Sequence, residues 1–285
     1  MPIKTEPVVP GWLEIDGPSS HRCQLAVGTC GYSYTEWVDA GFYTPGTRTT
    51  EMLGMYSRRF PVVELNYTWY QMARADALER MVKMAPEHLL FGAKLTRTMT
   101  HERSEAWREQ LRRYREGILP LTERLLAILI QLPPDFDRTV ANRRYLAELL
   151  DGLEDLPLAV EFRHRSWAMD SVFAELERRK ISLVCVDVPP LPSLFPCLDV
   201  VTNPELIYVR FHGRNRSGWN SGNMQKKFLY DYREEELAAW CEQYLQPMVR
   251  VGQRGVLFFN NHVKAHAANN GSLLQTILRQ KAGSG

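Results

Sequence analysis

The 285-residue chain carries 35 basic and 33 acidic residues, a formal net charge of +2, with 45% hydrophobic and 11% aromatic content. That balance supplies a large core and excludes an extensively disordered chain, while near-neutral charge excludes the strongly basic footprint of a dedicated nucleic-acid domain. Cys23, Cys30, Cys185, Cys197 and Cys241 show no C-x-x-C or zinc-knuckle spacing and read as reduced thiols, and no apolar run is long enough to span a bilayer.

These features predict a cytoplasmic protein without a signal peptide and without membrane attachment; oligomeric state is not readable. Residues 1–22, rich in proline and glycine, are expected to form an irregular or packed N-terminal extension, with residues 23–281 as a single domain. From Gln24 onward, short apolar runs alternate with amphipathic segments. The runs are 25–27, 62–65, 89–93, 127–132, 158–162, 182–186, 206–211 and 256–259. Helical periodicity lies between them over 50–60, 73–84, 105–117, 142–150, 169–180 and 234–246, and again over 272–280.

Repeated strand-helix units ask for a parallel sheet, and eight of them favour a closed TIM (β/α)8 barrel over an open doubly wound sheet. The glycine-rich dinucleotide fingerprint is absent, so no nucleotide cofactor is expected. Between the sixth and seventh runs, Pro189 to Pro204 holds Pro190, Pro192, Pro196 and Cys197 and no convincing helix, which predicts an incomplete βα unit.

In such a barrel the functional face is the carboxyl end of the strands. The first contributes Tyr32; the second Glu64, Asn66 and Tyr67; the third Lys94; the fifth Glu161, Arg163 and Trp167; the sixth Asp187; the eighth Asn260 and Asn261. In the seventh, Tyr208, Arg210 and His212 alternate, which puts all three on one side of the strand. The fifth run, Leu158 to Phe162, breaks off into a carboxylate and three cationic or titratable groups. Buried charge so close to an apolar run has to be paired internally or by something bound.

These segments resemble the DUF72 or YecE-like family. The resemblance rests on Val27-Gly28-Thr29-Cys30-Gly31-Tyr32, Val63-Glu64-Leu65-Asn66 with Thr68-Trp69-Tyr70, Gln131-Leu132-Pro133-Pro134, Val160-Glu161-Phe162-Arg163-His164 with Ser166-Trp167, Val209-Arg210-Phe211-His212-Gly213 and Phe258-Phe259-Asn260-Asn261, and extends over residues 24–280. It implies a TIM barrel and, the family's activity being unestablished, brings no substrate. Tyr32 stands where the family usually has Trp, Phe211 where it has Leu, and Ala265-His266-Ala267 where glycine is commoner.

The residues point first to an enzyme, hydrolase or isomerase/epimerase-like, using acid/base chemistry on a small anionic or phosphorylated substrate. Glu64, Lys94, Glu161, Asp187 and His212 form its catalytic group. Tyr32, Asn66, Tyr67, Arg163, Trp167, Tyr208, Arg210, Asn260 and Asn261 bind substrate. Glu161, Asp187 and His212 are the candidate ligands of a divalent metal. A second reading has single-stranded nucleic acid crossing Arg214, Arg216, Lys226 and Lys227 with Trp219, Phe228, Tyr230 and Tyr232 interleaved, on a flexible loop after the seventh strand. A third is a barrel that binds a ligand without turning it over. Asn269-Asn270-Gly271-Ser272, ahead of the last predicted helix, is a candidate anion-binding helix start.

Overall fold

The protein is described by a computed structural model that covers residues 11–17 and 21–282. The strands are β1 (Leu13–Asp16), β2 (Arg22–Cys30), β3 (Val62–Leu65), β4 (Leu90–Lys94), β5 (Leu125–Gln131), β6 (Leu158–Glu161), β7 (Ser182–Asp187), β8 (Ile207–Phe211) and β9 (Arg254–Phe259). They run in sequential order, and β2 also pairs in parallel with β9. That pairing closes β2 to β9 into an eight-stranded parallel TIM barrel, as the alternating pattern requires.

The outer layer contains helices α1 (Thr49–Tyr56), α2 (Ala75–Met84), α3 (Trp107–Ile118), α4 (Val140–Asp151), α5 (Asp170–Arg178), α6 (Glu234–Trp240) and α7 (His266–Ala282). Among the described residues no helix follows β7 before β8, so the proline-rich connection leaves the gap that was expected. Helix α6 passes into a π turn, Cys241–Leu245, and a last turn, Gln246–Val249.

Two expectations are corrected at the ends of the chain. The extension is not irregular throughout: Leu13–Asp16 pairs antiparallel with Arg22–Leu25, the first half of β2. Residues 1–10, 18–20 and 283–285 lie outside the described residues. Helix α7 begins at His266, six residues before the expected start, so Asn269, Asn270 and Gly271 lie inside it and cannot cradle an anion at its first turn. Gly271 is tolerated there because a Cβ would press within 3.1 Å of the Phe60 ring, and Asn270 is buried in a polar cluster.

Phase along the strands decides what reaches the interior. Gly92 on β4 faces inward, and a Cβ on it would lie 2.8 Å from the Tyr208 hydroxyl. Its missing side chain therefore makes room for Tyr208 to cross the barrel. Lys94, two residues on, shares that inward face one layer nearer the carboxyl end.

Candidate active site

Above this layer the barrel interior turns from aromatic to ionic. The Tyr208 hydroxyl donates to Glu64 Oε2 at 2.8 Å, and Arg210 Nη2 donates to Glu64 Oε1 at 2.7 Å. The other arm of Arg210, Nη1, donates to Glu161 Oε2 at 2.5 Å, and Nη2 also lies 3.4 Å from Cys30 Sγ. Arg163 Nε closes an ion pair on Glu161 Oε1, while its Nη2 lies 3.0 Å from His212 Nε2. The Asn260 side-chain amide is 3.0 Å from the other ring nitrogen of His212. Residues far apart in sequence thus meet in one network, as the shared phase of Tyr208, Arg210 and His212 predicts.

The network is almost closed to solvent: Glu64, Glu161 and His212 are 0% exposed and Arg210 1%. Its two carboxylates and two guanidinium groups cancel formally. Burial alone would raise the Glu161 carboxyl, but Arg163 and Arg210 outweigh it and hold the group well below its ordinary range. Burial, reinforced by Arg163, pushes His212 well below the usual imidazole value, so the ring is neutral and can accept from Arg163.

Lys94 is the cation this cancellation leaves over. It sits partly buried at the end of β4, its ammonium 4.7 Å from the centre of the Trp69 ring, and among the described residues it forms no ion pair. Thr68 Oγ1, donating to the Lys94 carbonyl at 2.6 Å, fixes the strand end. Burial, with Arg210 second, pushes the Lys94 pKa down to about 7, Glu161 and Glu64 offsetting only part. His101, whose ring meets Trp69 edge-on at 5.0 Å, is pushed down to about 4 by burial and then by Lys94.

A second surplus cation comes from outside the strands. The segment after β8 is not a flexible loop but two short helices, Arg216–Trp219 and Met224–Phe228, capped by Asn215 and Asn223. Lys227 lies 4.3 Å from the Trp219 ring centre, and Arg163 stands 5.6 Å from the same ring. Burial, then Arg163, lowers the Lys227 pKa to about 8. Trp219 and Phe228 rings lie 6.4 and 6.3 Å from His212, so this helical pair roofs the network.

The remaining predicted residues separate into two groups. Tyr32, Asn66 and Tyr67 stand at the rim: Tyr32 and Asn66 are partly buried and Tyr67 is exposed. Burial and Tyr32 raise the Tyr67 pKa. The Asn66 side-chain oxygen and the Trp69 indole N–H are buried without a hydrogen-bond partner.

Asp187, Asn261 and Trp167 are corrections. Asp187 is aligned with Phe211, one residue out of phase with Arg210, so it faces the outer helices. There it accepts from Arg214 Nη2 at 2.8 Å and from the Tyr232 hydroxyl at 2.5 Å. Asn261 is out of phase with Asn260 and donates to Asn270 Oδ1 at 2.7 Å and the Tyr230 carbonyl at 2.8 Å. Trp167 stacks between Phe162 and Phe136, with its indole N–H on the Phe136 carbonyl at 2.7 Å.

The candidate metal set of Glu161, Asp187 and His212 is therefore split across the barrel wall. No group of three His, Cys, Asp or Glu side chains able to hold a metal occurs among the described residues. Asp187→Ala is expected to cost roughly 2–3 kcal/mol of stability by stranding the Tyr232 and Arg214 donors. A urea midpoint unchanged from wild type would contradict that structural role.

The DUF72 family model, described as a protein of unknown function, matches residues 26–284. The UPF0759 protein YunF of Bacillus subtilis (strain 168) is 31% identical over 262 residues, covering 86% of this chain and 93% of that protein. A solved DUF72 family protein from Thermotoga maritima MSB8 is 31% identical with a TM-score of 0.81, covering 90% of this chain and 99% of its own. One from Enterococcus faecalis V583 is 28% identical with a TM-score of 0.79, covering 90% and 95%.

Proposed function

The chain belongs to the DUF72 family, which carries no assigned activity, and we propose from its own site that it is an enzyme acting by acid/base chemistry on a small anionic substrate at the barrel mouth. The observation that carries this reading is the charge imbalance: Glu64 and Glu161 are spent on Arg163 and Arg210, leaving Lys94 and Lys227 without a carboxylate partner in that network. Both ammonium groups are partly buried and both feel the positive field of Arg163, so an anion joining them would relieve the surplus.

Proton transfer is assigned to Lys94 rather than to the carboxylates. A group titrating at about 7 is populated in both states at neutral pH, which is what a general acid or base needs. Glu64 and Glu161, gripped from two sides, instead fix Arg210 and Arg163, and Arg163 in turn orients neutral His212. Lys227 and Arg163 hold the anionic group, while the Asn66 side-chain oxygen and the Trp69 indole N–H, both without a protein partner, orient the rest of the substrate. The expectation of a metal-assisted reaction is not carried forward, because its ligand set does not assemble.

A thermal-shift screen of small phosphorylated and carboxylated compounds, run on wild type and Lys94→Met, tests the proposal. At least one anion should stabilise wild type in a saturable way, by RT ln(1 + [L]/Kd), and fail to stabilise the variant. Unliganded Lys94→Met should itself melt higher at pH 7, because an ammonium whose folded pKa is depressed costs stability fully below that value and progressively less toward its unfolded pKa. The proposal fails if no anion distinguishes the two proteins. It also fails if only single-stranded oligonucleotides bind, with a steep salt dependence; that reading has less support, since Trp219, Phe228 and Tyr232 turn inward rather than offering open faces.

A further inference from the structure

The helix-less connection between β7 and β8 brings together two thiols that sequence spacing leaves apart. Cys185 Sγ, buried on β7, lies 3.7 Å from Cys197 Sγ, which is partly exposed on the connection. Cys23, Cys30 and Cys241 are buried elsewhere. A disulfide requires about 2.05 Å between sulfurs. The remaining approach is within reach of side-chain rotation on a connection that no helix stiffens.

We propose that Cys185 and Cys197 are a reversible thiol–disulfide modification site, oxidised by a low-molecular-weight disulfide, which staples this connection to the barrel wall. Cys197, the partly exposed member of the pair, is the point of entry. Its thiolate attacks the small disulfide, forming a mixed disulfide and expelling one small thiol. Cys185 then gives up its proton and attacks the Cys197 sulfur, releasing the second small thiol, so the protein loses two hydrogens and one small disulfide becomes two thiols.

The staple would act on the candidate site through the backbone. Two residues before Cys197, the Phe195 amide donates to the Arg163 carbonyl at 2.9 Å, and the Arg165 amide donates to the Ser193 carbonyl at 3.1 Å. The connection thus lies against the segment that aims Arg163 at Glu161 and His212. Closing the pair restricts the unfolded chain and fastens that backing to β7.

The test uses the whole chain equilibrated in glutathione buffers whose oxidised-to-reduced ratio spans about four orders of magnitude. Trypsin finds no Lys or Arg between Ile181 and Arg210, so one peptide carries both thiols and no other cysteine. Oxidation should make that peptide about 2 Da lighter, protect both thiols from alkylation and reverse with reductant. The oxidised protein should melt several degrees higher, and amide exchange through Phe195 should slow. Cys197→Ser, at a partly exposed position, should fold and show none of these changes.

Free, alkylatable thiols at the most oxidising ratio would overturn the proposal. So would glutathione retained on Cys197 without closure, a crosslink to Cys23, Cys30 or Cys241, or a lower melting temperature on oxidation. None of these outcomes depends on the identity of the anion.

Discussion

Replacing Arg210 by Met is expected to cost about 3–5 kcal/mol, a large share of a typical domain's total stability, because it leaves Glu64 and Glu161 buried without their shared cation. The guanidinium is 1% exposed and bridges both carboxylates, so water cannot take its place. Volume is nearly kept by the substitution, so stranded charge rather than a cavity accounts for most of the loss. A double variant that adds Glu64→Gln, leaving Glu161 paired with Arg163, should recover much of it, and urea unfolding of the three proteins measures both effects.

The pH dependence of Arg210→Met should reverse that of the wild type. In the wild type Glu161 is held well below its ordinary range, so its contribution is complete above the unfolded carboxylate pKa and is lost only as pH falls through the lowered folded value. In the variant Glu161 keeps Arg163, but Glu64 is a buried carboxylate with no cation beside it, so acidification, which removes that charge, narrows the deficit. A loss below about 1 kcal/mol, or a deficit that widens as pH falls from neutrality, would refute the account of a mutually cancelling ionic network.

The second large effect is expected in anion affinity. Sulfate is a suitable probe because its own charge does not change near neutral pH. With Lys94 at about 7 and Lys227 at about 8 in the free protein, sulfate should bind most tightly where both are protonated. Its affinity should then fall as pH rises through that window, by up to about two decades per pH unit if binding takes up two protons. Removing either ammonium should weaken binding by roughly tenfold to a hundredfold, the worth of a charge-assisted hydrogen bond. Affinity that stays flat between pH 6 and 9, measured by calorimetry, would detach both lysines from the ligand.

Strand-scale features were readable in the sequence wherever local periodicity carried them. Tyr208, Arg210 and His212 share a face because alternation is a property of the strand itself. Asp187 was misassigned because Ser182–Asp187 is buried on both faces, and an apolar run of that kind carries no phase information. Only its register against Phe211, a tertiary fact, turns it outward. Asn261 shows the converse: adjacent residues in the extended backbone that leaves β9 point to opposite sides, so Asn260 and Asn261 cannot both face inward, a signal the sequence carries.

Trp69, His101, Trp219 and Lys227 were not recognised as a set because none ends a strand. They converge through short helical segments whose placement depends on the barrel already being closed. Asn270 was misread for a related reason: Asn-Asn-Gly is a common turn signal, and tertiary bonds to Asn261 and Tyr232 override it within α7.

The antiparallel pairing of β1 with the first half of β2 bears on what the closed barrel leaves bare. Gln24 and Leu25 pair with β1 and also with Arg254 and Gly255 of β9, so β1 lies on the edge of β2 opposite β9, which β3 takes up only from Gly28. The hairpin thus covers a stretch of backbone donors and acceptors that β3 does not reach and that would otherwise invite another chain to dock. It finishes a wall that the repeating strands leave one strand end short.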